Sequence, residues 1–209
     1  TLFLKKLVAI ESPSRDPESQ TAILAILKDT FESIDFEVTI FPGKKTGGFL
    51  YAKPNQHQKG KAVQLMIGHC DTVWKINTLE NMPVLDSDER ISGPGIFDMK
   101  AGITQMIFAL KALQALKIDY PLSPVILINS DEEIGSFEST GAIRKIAKIA
   151  KRAFILEPPL GFEGKLKTSR KGIGKFTIKG TGKPAHAGLN PEMGVSAIVE
   201  LSYHIQQLF

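Results

Sequence analysis

A single cysteine, Cys70, stands in 209 residues, so no internal disulfide framework can form. No apolar run approaches the roughly 18 residues that a membrane-spanning helix requires, and a membrane is not an expected partner. Low-complexity tracts and internal repeats are absent. With hydrophobic residues at 43% and charged residues at 23%, the composition is that of an ordinary globular chain. Strong charge of one sign is missing too, since the net charge is only +4. Basic residues are densest in KLKTSRKGIGKFTIKGTGKP, which carries Lys165, Lys167, Arg170, Lys171, Lys175, Lys179 and Lys183 and no acid. These alternate with strand-like apolar positions and lack interleaved stacking aromatics, so a solvated sheet face is expected there and nucleic acid is not an expected partner. An anion-binding role for one or two of them stays open. The opening TLFLKKLVAIESPS reads as an amphipathic helix without a small-residue cleavage site or an initiator Met. The expectation is a trimmed start and a cytoplasmic protein, with a secreted or periplasmic home left open.

What the sequence has is alternation. DPESQTAILAILKDTFESI predicts a helix starting at Asp16–Pro17, FEVTIF a strand, and PGKKTGG a turn. AVQLMIG (62–68), SPVILINS (123–130) and RAFILEP (152–158) predict buried strands. DMKAGITQMIFALKALQALKI (98–118) and GAIRKIAKIA predict helices between them. Apolar strands alternating with helices imply an α/β fold, a mainly parallel sheet with helices on both faces. After the Pro/Gly break in PPLGFEGKL the texture changes to alternating GIGKFTIKG and then a helix over MGVSAIVELSYHIQQLF. The expected division is 1–164 and 165–209, the second part being an incomplete strand–strand–helix piece.

The unusual polar residues fall at strand ends. His69 and Asp71 follow the strand 62–68, Asp131, Glu132 and Glu133 follow 123–130, and Glu157 ends the last strand. In open α/β sheets the ligand crevice lies at the carboxyl ends of the strands. Asp98, after the flexible SGPGIF, can reach the same rim. An imidazole and several carboxylates converging with no Lys or Arg at those strand ends require a cation, and nitrogen plus carboxylate ligands suit zinc, or cobalt and manganese less tightly. So many carboxylates favour two ions over one. Asp71 is placed to accept the second ring N–H of His69 and fix its tautomer. Glu132 and Glu133 are adjacent, so their side chains diverge; one can ligate while the other takes a proton from water.

The motifs GHCDTVW, GPGIFDMKAG, NSDEEIGS, LEP and GKPAHAG resemble, in order and spacing, the co-catalytic metallopeptidase family of glutamate carboxypeptidase, acetylornithine deacetylase, succinyl-diaminopimelate desuccinylase and aminoacylase. HCDTVW, SDEEIGSF and GKPAHAGLNPEMGVSAIVE lean towards the glutamate carboxypeptidase branch. The resemblance implies a zinc-peptidase-like catalytic domain over 1–164 and the beginning of a lid or dimerisation domain over 165–209. It implies that His69 and Glu157 ligate one metal, Asp98 bridges both, and Glu133 ligates the second. It assigns Glu132 as general base, Asp71 as support for His69, and His186 as the lid histidine that helps to bind substrate. A cis peptide between Asp98 and Met99 is implied as well. His57 and His204 match no motif; a solvated loop and a helix surface are expected for them.

The resemblance further implies two zinc ions, the second lacking a histidine that the family places beyond Phe209. It also implies a homodimer through the lid domain when full length. The expected reaction is hydrolysis of an amide bond, releasing a C-terminal glutamate or similar residue from a small peptide or N-acyl amino acid. An N-acyl amino acid deacylase, or an inactive truncated relative serving as a binding module, are the alternatives. The 209-residue chain by itself is expected to be inactive.

Overall fold

The computed structural model describes residues 2–57 and 60–208, and the chain divides into two compact units, Thr1–Leu166 and Lys167–Phe209. The first unit opens with helices α1 (Leu2–Val8) and α2 (Pro17–Glu32). Asp16 caps α2 by accepting the Ser19 N–H at 3.2 Å, and Pro17 occupies the first turn, where no donor is needed. Strands β1 (Phe36–Phe41), β2 (Phe49–Pro54) and β3 (Val63–His69) follow. A short helix α3 (Thr78–Asn81) and a two-stranded ribbon, β4 (Leu85–Asp86) with β5 (Ile91–Ser92), lead to helix α4 (Ala101–Ala115). Then come β6 (Ser123–Asn129), α5 (Thr140–Ala147) and β7 (Ala150–Ile155).

The main sheet has the order β1-β2-β6-β3-β7. Strands β6, β3 and β7 run parallel, as the alternation of apolar strands and helices implies, while β1 and β2 extend the sheet antiparallel beyond β6. β2 has no clear sequence signal, because FLYAKP follows two glycines and ends in Pro54; pairing with β6 is what defines it. Every residue of β6 is buried, as suits a strand with neighbours on both sides. Leu50, Ala52, Met66, Ile126 and Ile128 form one face of the core with Leu7 of α1, Leu27 and Phe31 of α2, and Ile103 and Ile107 of α4.

Several sequence expectations need correction. The helix expected from Asp98 begins at Ala101, because Asp98 and Met99 take non-helical dihedrals (φ −120°, ψ 99° and φ −129°, ψ 36°) within a wide turn over Ile96–Lys100. The Asp98–Met99 peptide is cis, as the resemblance implies. The last strand is not buried: Phe154 and Ile155 are 45% and 57% exposed, since β7 is an edge strand with β3 as its one neighbour. His57 does not sit free in a solvated loop. Its Nδ1 lies 2.6 Å from the hydroxyl of Ser123, pinning the segment after β2 to the start of β6.

The second unit holds helix α6 (Ala197–Leu208) and one isolated bridge, Lys183 to Val195. GIGKFTIKG, expected as a strand, forms no ladder, because no strand among the described residues runs beside it. Its basic residues are exposed without being a sheet face. His204 lies on α6 with Nε2 3.3 Å from Glu200, the helix surface expected for it.

Candidate metal centre

Parallel strands place their carboxyl ends on one rim, and β3 lies between β6 and β7. His69, the last residue of β3, is therefore flanked by the acids after β6 on one side and Glu157 after β7 on the other. The turn before α4 brings Asp98 over the same point. His69 Nε2 lies 3.0 Å from Asp98 Oδ1 and 3.3 Å from Glu157 Oε1. Two triads, His69–Glu132–Glu157 and His69–Asp98–Glu133, each offer ligand atoms within 4.8 Å of one another. The five residues singled out from the sequence as ligands or base thus converge, with His69 common to both triads.

The other ring nitrogen is committed. His69 Nδ1 donates to the backbone carbonyl of Asp71 at 2.9 Å, with the Asp71 carboxylate further off at 3.4 Å. The tautomer is fixed as the sequence reading requires, but mainly through the carbonyl of Asp71 and less through its side chain. That carboxylate, fully buried, has other partners: it accepts the backbone N–H groups of Glu132 and Glu133, both at 3.2 Å, and the hydroxyl of Ser14 at 2.7 Å. Asp71 therefore ties the end of β3 to the turn that presents the two glutamates.

The third acid of the DEE run plays a different part. Asp131 is buried and accepts the Glu138 N–H at 2.7 Å, the Ser139 N–H at 3.1 Å and the Ser139 hydroxyl at 2.6 Å. It organises the loop into α5 and leaves Glu132 and Glu133 to face the rim. His186 belongs to the second unit, where its exposed ring accepts the Gly188 N–H at 3.1 Å.

Electrostatics show what the cluster needs. With Nδ1–H donated away, a neutral His69 turns a lone pair on Nε2 towards carboxylate oxygens that are also acceptors. Burial alone would lower its pKa, but the hydrogen bonds and charges of Asp71 and Glu157 outweigh that and lift it to about 11. Asp98, Glu132 and Glu133 are all pushed up, first by burial and then by neighbouring carboxylates, with His69 opposing. Both trends ask for positive charge at one point. Lys100, buried close by, does not supply it; its Nζ donates to the Ile10 carbonyl at 2.7 Å, and burial lowers its pKa to about 8. Cys70 is fully buried, which pushes its thiol pKa up, so it offers no reactive thiolate. A dication seated by nitrogen and carboxylates fits this donor set.

Sequence reasoning missed three supports. Ser14 bonds Asp71 across 57 residues. Gln20, buried, donates to the carbonyls of Pro13 (2.8 Å) and Ser130 (2.9 Å) and accepts the Gly47 N–H. Gly102 lets α4 approach the chain before Glu157, since a Cβ there would sit 1.9 Å from the Leu156 carbonyl oxygen. Only Gly102, the last residue of GPGIFDMKAG, had a motif to flag it.

Comparison with known proteins agrees with this geometry. Residues 65–205 match the family model described as peptidase family M20/M25/M40. The chain is 33% identical to carboxypeptidase G2 of Pseudomonas sp. (strain RS-16), over 95% of this chain and 48% of that protein. It is 27% identical to acetylornithine deacetylase of Proteus mirabilis (strain HI4320), over 93% of this chain and 50% of that one. The chain spans about half the length of these curated relatives. Its fold is shared with the aminopeptidase PepT of Bacillus cereus ATCC 10987, at TM-score 0.69 and 22% identity, over 98% of this chain and 55% of that structure. With the family match covering most of the sequence and including the strand ends that carry the acids, the chain belongs to peptidase family M20/M25/M40.

Proposed function

We propose that the full-length protein is a metal-dependent hydrolase that releases a C-terminal glutamate or similar residue from a small peptide or N-acyl amino acid. The observation that carries this reading is the pair of triads meeting at His69. His69, Asp98, Glu133 and Glu157 would hold two divalent ions, zinc or less tightly cobalt or manganese. Bound there, the ions would supply a Lewis acid that polarises the scissile carbonyl and acidifies water. Glu132 takes the proton of the attacking water and returns it to the leaving amine. Its backbone N–H is held by Asp71, so its carboxylate works from a fixed turn. Asp71 keeps His69 in the tautomer that leaves Nε2 to ligate, and His186 is proposed to contact substrate.

The preference for glutamate rests on the resemblance of HCDTVW, SDEEIGSF and GKPAHAGLNPEMGVSAIVE to the glutamate carboxypeptidase branch, and carboxypeptidase action on the 33% identity with carboxypeptidase G2. The second reading, removal of an acyl group from an N-acyl amino acid, is favoured by the match to acetylornithine deacetylase and uses the same residues. A hydrolysis panel on the full-length protein with zinc separates them, pairing N-acyl-glutamates and dipeptides ending in glutamate with N-acetylated basic and neutral amino acids. Turnover confined to the second group would reject the glutamate reading, and no turnover in either group would reject both.

A further inference from the structure

The segment joining α1 to α2 lies along the residues just past β3 and is fastened to them, to Lys100 and to Gln20. Lys100 Nζ donates to the Ile10 carbonyl at 2.7 Å. Ser12 Oγ donates to the Cys70 carbonyl at 2.7 Å, and its own carbonyl accepts the Thr72 N–H at 2.9 Å. Pro13 bridges to Thr72, and Gln20 holds the Pro13 carbonyl. At the end of this strap stands Ser14, 5% exposed, with its hydroxyl 2.7 Å from Asp71 Oδ2.

We infer that Ser14 is a positioning residue of the metal centre, acting through Asp71 on His69 and on the Glu132–Glu133 turn. The inference rests on the metal-centre reading above. The two amide bonds to Asp71, at 3.2 Å each, come from the turn that Asp71 itself orients, so they cannot fix the carboxylate against that turn. The Ser14 hydroxyl comes from a strap whose own bonds go to the backbone of Cys70 and Thr72 and to Gln20 and Lys100, not to the Glu132–Glu133 turn, and its contact is the shortest the carboxylate makes. A hydroxyl on a carboxylate is among the stronger hydrogen bonds. It stops rotation about the Cβ–Cγ bond, and so sets where Oδ1 stands relative to His69 Nδ1 and where Oδ2 receives Glu133. Without it the carboxylate and the acidic turn shift together while β3 stays in place. The imidazole on β3 and the glutamates after β6 then lose their mutual register.

The test uses the full-length protein, with zinc affinity measured by chelator competition, the visible absorption of the cobalt form, and the melting temperature of the metal-free form. The parent is compared with Ser14→Ala and Ser14→Thr. Outer partners of metal ligands are typically worth about 10–100-fold in affinity, and Ser14, one bond further out than Asp71, is expected at the low end, about tenfold for Ser14→Ala. Ser14→Thr, which keeps the hydroxyl, is expected to restore the affinity, and the cobalt bands are expected to change in Ser14→Ala alone. Should Ser14→Ala fail to fold, Ser14→Cys, of similar size and with a weak donor, is expected to show the same loss. Parental affinity and spectrum in Ser14→Ala, or no recovery in Ser14→Thr, would overturn the role of Ser14 while leaving the metal centre standing. A parent protein that takes up neither zinc nor cobalt would overturn the metal-centre reading, and this inference with it.

Discussion

Adjacent carboxylates at a strand end repel one another, and here the three acids answer that repulsion in two ways. Asp131 turns inward to a set of N–H and O–H donors and serves the loop. Glu132 and Glu133 face His69, where a cation is needed. Replacing Glu132 by Gln in the full-length protein is expected to lower kcat by about 10²–10⁴-fold, the usual contribution of a general base, with metal content unchanged. Elemental analysis beside kinetics checks this. Loss of metal would make Glu132 a ligand instead, a role that its triad with His69 and Glu157 allows. Asp71→Asn places an amide group where Ser14, Glu132 and Glu133 all donate, so at least one donor loses its acceptor. An affinity loss of about 10–100-fold for zinc is expected, read by the same chelator competition. His69, Glu132, Glu133 and Glu157 were legible in the sequence because each lies at or just past the end of an apolar strand, and parallel strands deliver their ends to one rim. Asp98 was reached through the flexible SGPGIF before α4. Ser14 was not, because its meaning lies in a contact 57 residues away and its neighbourhood in the chain, ESPSR, looks like any polar turn.

Elements were legible where periodicity alone decides them and obscure where pairing decides. The bounds of α2 and β1 follow from Asp16, Pro17 and the run FEVTIF; β2 exists through β6, and GIGKFTIKG stays unpaired for want of a neighbour. The spacing between elements also has residue-level control. Gly102 sits where α4 meets the Leu156 carbonyl, so Gly102→Ala must push backbone away from backbone just before Glu157. Overpacking of this kind costs about 1–3 kcal/mol, and zinc affinity is expected to fall with stability. Gly141 on α5 has open space beside it, so Gly141→Ala should leave zinc binding unchanged and raise stability by about 0.4–1 kcal/mol. Equal melting temperatures for the two variants would contradict the close approach. The loop between β1 and β2 is held by Glu138, which accepts the Lys44 and Lys45 N–H groups and the Thr46 hydroxyl. Burial would raise its pKa, but these donors outweigh burial and hold it below 4.5. A lowered folded pKa adds stability above the unfolded value and loses it as pH falls through the folded one. The melting-temperature gap between the parent and Glu138→Gln should therefore be widest near neutral pH and close as pH drops below 4.5.

Across the whole molecule the buried apolar surface is unevenly shared. The core cluster lies entirely within Thr1–Leu166, where three helices pack on a five-stranded sheet. In Lys167–Phe209 the large apolar side chains face outward: Ile173 and Phe176 are almost fully exposed, and Ile198, Tyr203 and Leu208 of α6 are mostly so. Segments of about 40 residues seldom fold on their own burial without metals, disulfides or partner surfaces. Local opening is easiest where buried contacts are few, and backbone without a hydrogen-bonded ladder is open to proteases. Limited proteolysis of the 209-residue chain should therefore cut first within 167–196 and leave a resistant fragment ending near Leu166. Hydrogen exchange should show the same division, with β3 and β6 slowest and 167–182, before the Lys183–Val195 bridge, at the rate of free peptide. The homodimer that the resemblance implies for the full-length protein, through this second unit, would cover part of that apolar surface, so the same segment should gain protection there. Equal protection of both units in the 209-residue chain would show that the second unit is held by interactions other than burial, and would remove the reason for assigning its exposed faces to a partner.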